Sequence, residues 1–453
     1  MTEAFNRLRT RFGELWWWSA IIFISCRFGD LINAFIGLWL VPKYVPQEEL
    51  GAALPLLQFS NVFGLPLTIL VVPFSRWLTI YATQGERGKI KRLLSIVCYG
   101  ALAAFVLSVL AARFVLPQFF ERLRITEGSL GLLIVCAGLI GPVANVFNNA
   151  LQGLKRFKAM SIINIFGAPL RLGVMLAAMP FRALSGYVLG QMATPALNTA
   201  AGWFSLRKEL GKDVKSAKLG KDVRDMARYL VPFAAYTAIG TLLGSWQALL
   251  FRQRLPEIES AAYYIITRLA EIASYGGVSV AFVMFPLAVE AREKRSGEAR
   301  LLRNMLLGTF LPGLAVTLLL GIFGKWILGI VPLWRDYAPY ALLLGAYALR
   351  MTILSSTSAY YSYETAAGRF RFIWYWLPLS LLETGVLVAF TGYGAFEGML
   401  PDAAVEWMRN LNAGRLSFFI WWLLACSIAQ AAAIAAQLFF EKRLPLDENR
   451  QLW

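Results

Sequence analysis

Twelve long apolar segments dominate this sequence and restrict what it can fold into. Each is at least about 18 residues long, the length at which a helix can cross the hydrocarbon core of a bilayer. Strands of a membrane barrel would be short and alternate in polarity, so the segments are predicted to be helices. The predicted spans are Trp16–Val41, Leu50–Tyr81, Leu93–Leu116, Leu130–Leu151, Ala159–Met179, Leu184–Leu206, Tyr229–Phe251, Ala261–Val289, Asn304–Val331, Tyr337–Tyr361, Phe372–Phe390 and Leu416–Phe440.

The composition favours a polytopic membrane protein and argues against most enzymes. Of the 453 residues, 58% are hydrophobic and 16% are charged, whereas ordinary globular domains are roughly 45–50% apolar. The sequence has no histidine, which removes the commonest general base and metal ligand. It also has no GxxxxGK[ST] phosphate-binding loop and no HExxH or kinase-type motif. We therefore expect no enzymatic activity, no cofactor and no metal site.

The net charge of +17 is explained mainly by the loops on one side of the membrane. If the N-terminus is placed in the cytoplasm, the inside segments hold 28 of the 44 Lys and Arg residues. This positive-inside bias predicts that both termini are cytoplasmic. The longest polar run, Arg207–Arg228, then also lies inside, with eight Lys/Arg against four Asp/Glu. We interpret it as a cytoplasmic linker with a secondary affinity for anionic lipid headgroups, and expect no nucleic-acid partner.

Short motifs repeat at a spacing of roughly 210 residues and divide the chain into two halves. The matching pairs are Pro46–Ala52 with Pro256–Ala262, Arg92–Leu94 with Arg300–Leu302, and Arg156–Lys158 with Arg369–Arg371. Each half starts in the cytoplasm and has an even number of spans, so the halves are predicted to form a parallel repeat. The predicted domains are an N-terminal lobe at 1–206, the linker at 207–228, a C-terminal lobe at 229–440 and a cytoplasmic tail at 441–453.

Charged residues inside the spans are the candidate functional residues, because a charge at the bilayer centre costs roughly 2.5–3.5 kcal/mol. The candidates for binding substrate are Arg27, Arg76, Arg171, Arg268 and Arg350, and the candidates for ion coupling or charge pairing are Asp30, Glu271 and Glu383. Arg27 with Asp30, and Arg268 with Glu271, are spaced i,i+3 and can neutralise each other on one helix face.

The surplus of arginine favours an anionic substrate, since the guanidinium group suits bidentate phosphate recognition. Amides such as Asn33 would suit sugar hydroxyls, although hydrogen bonding between helices explains them equally well.

The chain resembles bacterial polysaccharide flippases of the Wzx type, which belong to the multidrug/oligosaccharidyl-lipid/polysaccharide (MOP) exporter superfamily. The resemblance rests on two parallel sets of six spans, the motif before span 2, and LQGLKRFK at Leu151–Lys158. It implies a V-shaped pair of six-helix lobes around a cationic cavity that opens alternately to the two sides of the membrane. In that family the cavity accepts the pyrophosphate and glycan of an undecaprenyl-linked oligosaccharide. Arginines on spans 1, 2 and 8 matter in related flippases, and Arg27, Arg76 and Arg268 lie on those spans.

The resemblance also implies a bacterial cytoplasmic (inner) membrane location, with membrane lipids, a polysaccharide polymerase and glycosyltransferases as partners. Two alternatives remain open. A multidrug antiporter of the same fold would couple to H⁺ or Na⁺ through Asp30 or Glu383. A non-transporting subunit of a polysaccharide synthesis complex would dock a cytoplasmic partner through the linker.

Overall fold

The computed structural model describes residues 24–25, 27–123, 130–153, 156–207, 215–217, 219–220, 222–293, 298–366, 369–391 and 415–441. The predicted start of span 1 at Trp16, linker residues 208–214 and the tail beyond Glu441 lie outside these ranges.

Within the described ranges, helices occupy all twelve predicted positions. Helix α1 covers residues 27–44 and contains a π-helical turn, Ile36–Leu40. The others are α2 (Ala53–Gln84), α3 (Arg87–Leu123), α4 (Leu130–Gly153), α5 (Phe157–Ala178), α6 (Ala183–Arg207), α7 (Asp222–Arg254), α8 (Glu257–Glu293), α9 (Glu298–Ile330), α10 (Ala341–Ala366), α11 (Ile373–Thr391) and α12 (Leu416–Glu441).

The described helices are those of a multi-pass membrane protein. Seven of the described helical segments are long and apolar enough to cross a membrane by length and composition. Large apolar side chains also lie on the protein surface, among them Phe114, Leu342 and Trp374. An apolar exterior of this kind is expected where lipid, rather than water, surrounds the helices.

The chain divides into two compact units. Unit 1 comprises Met1–Ile36 and Leu56–Ser245, and unit 2 comprises Gly37–Pro55 and Trp246–Trp453. The boundaries fall within α1, α2 and α7, so each of these three helices contributes residues to both units. The segment after the first boundary, Gly37–Pro55, belongs to unit 2 together with α8–α12.

Unit 1 contains a close crossing of α2 and α4. A Cβ added at Gly138 would lie 2.0 Å from the carbonyl oxygen of Ser60, and one added at Gly64 would lie 2.0 Å from the carbonyl oxygen of Gly138. Small residues are what allow membrane helices to approach to this distance. Buried side chains of α2–α6, including Leu78 and Leu151, form a hydrophobic core in this unit.

The second part of the predicted linker lies on the turn between α2 and α3. Asp222, the first residue of α7, accepts hydrogen bonds from Tyr81 Oη at 2.8 Å and from Lys89 Nζ at 3.0 Å. The backbone N–H of Ala217 donates to the carbonyl of Gly88 at 3.1 Å. The bonds from Tyr81 and Lys89 stabilise the carboxylate and hold the pKa of Asp222 below its ordinary value. The linker is therefore attached to unit 1 by a specific charged contact.

Unit 2 brings the two copies of the repeated motif together. Pro46 precedes a short helix, Gln47–Leu50, and Pro256 precedes α8. Gly51 packs so closely on Ser260 that an added Cβ would lie 2.1 Å from the Ser260 hydroxyl oxygen. The sequence repeat thus corresponds to two helix starts that pack against each other.

The crossing of α2 and α4 predicts that Gly138→Ala destabilises the protein. The added methyl group would overlap a backbone carbonyl, and overpacking of this kind typically costs about 1–3 kcal/mol. Gly141→Ala on the same helix is the matched control, because nothing lies within 4 Å of its added Cβ. Thermal unfolding in detergent should show a lower midpoint for Gly138→Ala only. Equal midpoints for the two variants would contradict the described crossing.

The attachment of the linker predicts that Asp222→Asn increases hydrogen exchange at the Ala217 amide. Asp225→Asn, an exposed acid in the same helical turn, removes the same charge and should leave exchange unchanged. Because the pKa of Asp222 is lowered, its contribution is complete above the ordinary pKa of 3.8 and is lost only as the pH falls through the lowered value. Mass spectrometry of exchange, corrected for the intrinsic pH dependence, tests both statements. Loss of protection well above pH 3.8 would contradict the second.

Candidate functional site

The predicted site residues divide between the two units. Arg27, Asp30 and Arg171 belong to unit 1, and Arg268, Glu271, Arg350 and Glu383 belong to unit 2. Arg76 lies in α2, but its side chain is outside the described part of the structure.

In unit 1, α1 carries the expected i,i+3 ion pair. Arg27 Nη1 lies 3.1 Å from Asp30 Oδ2, and about a quarter of each side chain is exposed. One further turn along the same helix face, Asn33 accepts a hydrogen bond from Arg171 Nη1 on α5. Charged and amide groups of α1 therefore form a continuous polar face that meets α5.

Arg171 differs from the other described site arginines because its hydrogen-bond partners are neutral. Its Nε donates to Thr194 Oγ1 of α6 at 3.3 Å, and the Thr194 hydroxyl donates to the carbonyl of Gly167 at 2.6 Å. Among the residues that the structure describes, no carboxylate lies within ion-pair distance of Arg171. Its positive charge is consequently not cancelled by a neighbouring acid in this part of the chain.

In unit 2, α8 carries the second expected i,i+3 pair. Arg268 Nη1 lies 2.8 Å from Glu271 Oε2, and both side chains are partly exposed. The guanidinium carbon of Arg268 also lies 5.3 Å from the centre of the Tyr264 ring, a distance at which a cation interacts favourably with an aromatic face.

The third pair joins two helices of unit 2 and is deeply buried. Arg350 Nη2 on α10 lies 3.3 Å from Glu383 Oε1 on α11, and the two side chains are only 10% and 8% exposed. Arg350 also donates to Tyr347 Oη at 3.3 Å, and that hydroxyl shares a hydrogen bond with Tyr263. The sequence analysis identified no partner for Arg350, because its partner Glu383 lies on a different helix.

Glu383 has further partners that the sequence analysis did not identify. Gln247 of α7 donates to Glu383 Oε1 at 3.3 Å and to Thr384 Oγ1 at 3.1 Å. The indole N–H of Trp422 on α12 donates to the backbone carbonyl of Glu383 at 3.0 Å. An amide inside span 7 was the only available signal for Gln247, and isolated amides are common in membrane helices.

All three candidate acids are therefore engaged by arginines. Asp30, Glu271 and Glu383 each lie within ion-pair distance of a guanidinium group. A cation could bind one of these carboxylates only in competition with the arginine. An anion could bind Arg171 without displacing an acid from it.

Comparison with solved structures assigns the fold to the type found in MOP-superfamily transporters. An inward-facing multidrug resistance transporter of the MATE family is 13% identical, with a TM-score of 0.60 over 94% of this chain and 99% of that chain. An outward-facing MATE structure is 14% identical, with a TM-score of 0.60 over 94% and 93% of the two chains.

A MOP-superfamily transporter from Pyrococcus furiosus is 13% identical, with a TM-score of 0.59 over 92% and 94% of the two chains, and is described as having a binding pocket of reverse polarity that suggests a different function. No protein-family model matches the chain, and neither does any curated protein. At this level of identity the likeness establishes the fold alone.

The buried Arg350–Glu383 pair predicts a non-additive effect on stability. Arg350→Met or Glu383→Gln alone would leave one buried charge without its partner, which typically costs roughly 3–5 kcal/mol. The double variant removes both charges and should regain most of that loss. Lys325→Met, which removes an exposed cation of α9, is the control and should leave the unfolding midpoint unchanged. Additive losses in the double variant would show that the pair is not coupled.

Proposed function

We propose that this protein flips an undecaprenyl-pyrophosphate-linked oligosaccharide across the bacterial cytoplasmic membrane during surface polysaccharide or O-antigen biosynthesis. Transport would proceed by alternating access, which fits a fold that occurs in both inward-facing and outward-facing forms among its structural neighbours. Both termini and the basic linker would lie in the cytoplasm, in agreement with the positive-inside bias. A polysaccharide polymerase and glycosyltransferases would be the functional partners.

The charge balance of the site residues is the observation that carries this proposal. Three of the four described site arginines are neutralised by acids, while the fourth, Arg171, has only neutral hydrogen-bond partners. A positive charge within an apolar helix is costly and is typical of a site that receives an anion. Guanidinium binds phosphate through two parallel hydrogen bonds, so a pyrophosphate group suits Arg171.

A multidrug antiporter is the second candidate, because two of the structural neighbours are described as multidrug resistance transporters. In that case Asp30 or Glu383 would bind and release H⁺ or Na⁺. The arginine paired with that acid would first have to move away from it. Cationic drugs would also be repelled by the charge of Arg171. The fold itself does not decide between the two functions, since a neighbour of the same superfamily is described as having reversed pocket polarity.

Substitution of Arg171 tests the proposed function. Arg171→Gln removes charge-assisted hydrogen bonds worth about 1.5–3 kcal/mol, so purified protein should bind polyprenyl pyrophosphate roughly 10- to 100-fold more weakly. Surface glycan should fall in cells that depend on this variant. Arg171→Lys keeps the charge but not the planar fork, and should retain part of the affinity.

Arg113→Gln is the matched control for this experiment. It removes the same charge from an exposed position on α3 and should leave binding and export unchanged. Normal binding and export by Arg171→Gln would exclude Arg171 from the site. Drug sensitivity with normal surface glycan in a deletion strain would instead favour the antiporter.

A further inference from the structure

The π-helical turn of α1 has a cause in the sequence. Pro42 has no backbone N–H, so the carbonyl of Leu38, four residues earlier, cannot accept an α-helical hydrogen bond from it. The proline ring also crowds that carbonyl in a regular α-helix. The chain instead widens into the π-helical turn Ile36–Leu40, a feature often found at functional sites.

The carbonyl of Leu38 accepts a hydrogen bond from Trp334, which lies far away in the sequence. Its indole N–H donates to this carbonyl at 2.7 Å in a buried environment. Trp334 lies in the 3₁₀-helix Pro332–Tyr340 between α9 and α10. The segment that follows α1 is attached as well, since Arg252 of α7 donates to the carbonyl of Glu48 at 2.5 Å. The end of α1 is thereby fixed within unit 2.

This attachment places the backbone of Gly37 directly against the side chain of Arg268. A Cβ added at Gly37 would lie 3.0 Å from Cδ, 3.4 Å from Cγ and 3.5 Å from Nε of Arg268. These atoms belong to the middle of the side chain, while its guanidinium end is held by Glu271. The stem of Arg268 therefore packs against the turn, and a side chain at residue 37 would require this stem to shift by a few tenths of an ångström.

We propose that Gly37, held in place by Trp334, is a positioning residue that directs Arg268 toward an anionic substrate. This inference rests on the proposed function, together with the prediction from the sequence that Arg268 contacts the substrate. The absent side chain at Gly37 leaves room for the stem of Arg268 in the rotamer that the structure shows. Any larger residue displaces that stem and turns the guanidinium away, although residue 37 itself touches no substrate.

Binding of undecaprenyl pyrophosphate without a glycan to the purified full-length protein is the test. Gly37→Ala should weaken binding about three- to tenfold, the effect of forcing one side chain off its preferred rotamer. Trp334→Phe keeps the aromatic packing but removes the indole N–H, and should weaken binding to a similar extent. Gly29→Ala in α1 is the matched control, because its added Cβ would meet only Ala168 at an ordinary 3.8 Å.

A double-mutant cycle with Arg268→Ala separates positioning from a general structural effect. Arg268→Ala removes the atoms that Gly37 contacts, so Gly37→Ala should cause no further loss of affinity in that background. An equal loss in both backgrounds would mean that Gly37 acts independently of Arg268 and would overturn the inference. If Gly37→Ala does not insert into the membrane, a double-mutant cycle of Trp334→Phe with Arg268→Ala replaces it. An equal loss of affinity in both backgrounds would again overturn the inference.

The outcomes also distinguish this inference from the proposed function. If Arg268→Ala loses affinity while Gly37→Ala and Trp334→Phe bind normally, the positioning role is wrong and the proposed site stands. If Arg268→Ala binds as tightly as the unmodified protein, Arg268 is not part of the anion site. The positioning role is then overturned together with the prediction that Arg268 binds the substrate.

Discussion

The energetic cost of placing a charge in an apolar environment constrains the whole arrangement of charged groups in this protein. Arg27 and Arg268 are neutralised by an acid one turn away on the same helix, and Arg350 by an acid on the neighbouring helix. Pairing lowers the cost of burial and also links helices, since the Arg350–Glu383 pair joins α10 to α11 and is extended to α7 by Gln247. Among the candidate arginines whose side chains the structure describes, Arg171 is the one without an acid within ion-pair distance. A ligand is expected at such an uncompensated charge.

The helices could be predicted from the sequence because apolar length and i,i+3 spacing are properties of single segments of the chain. A membrane helix satisfies its backbone hydrogen bonds within itself, so apolar length alone located the described helices to within a few residues at most ends. The i,i+3 ion pairs followed from helical geometry once the helices were assigned. α8 and α9 begin before the predicted spans, at Glu257 and Glu298, because a helix can extend beyond the apolar region into the loops that flank it.

Contacts between distant parts of the chain could not be predicted in this way. Nothing local to Arg350 indicates Glu383, and nothing local to Arg171 indicates Thr194. Their pairing depends on how the helices rotate and pack, which many side chains decide together. The π-helical turn is an intermediate case: Pro42 makes an irregularity near Leu38 predictable, but the donor that compensates for it, Trp334, comes from a segment almost three hundred residues away.

The two kinds of arginine imply two different responses to an anion. Around Arg171, a phosphate would exchange neutral amide and hydroxyl partners for charged ones, which strengthens the hydrogen bonds without leaving an acid exposed. Around Arg268, a phosphate would compete with Glu271, so binding there requires a second favourable contact for the phosphate or a new partner for the displaced acid. An anion that engages Arg268 therefore perturbs α8 and the turn of α1 packed against it, whereas one that engages Arg171 releases only the neutral partners Asn33 and Thr194.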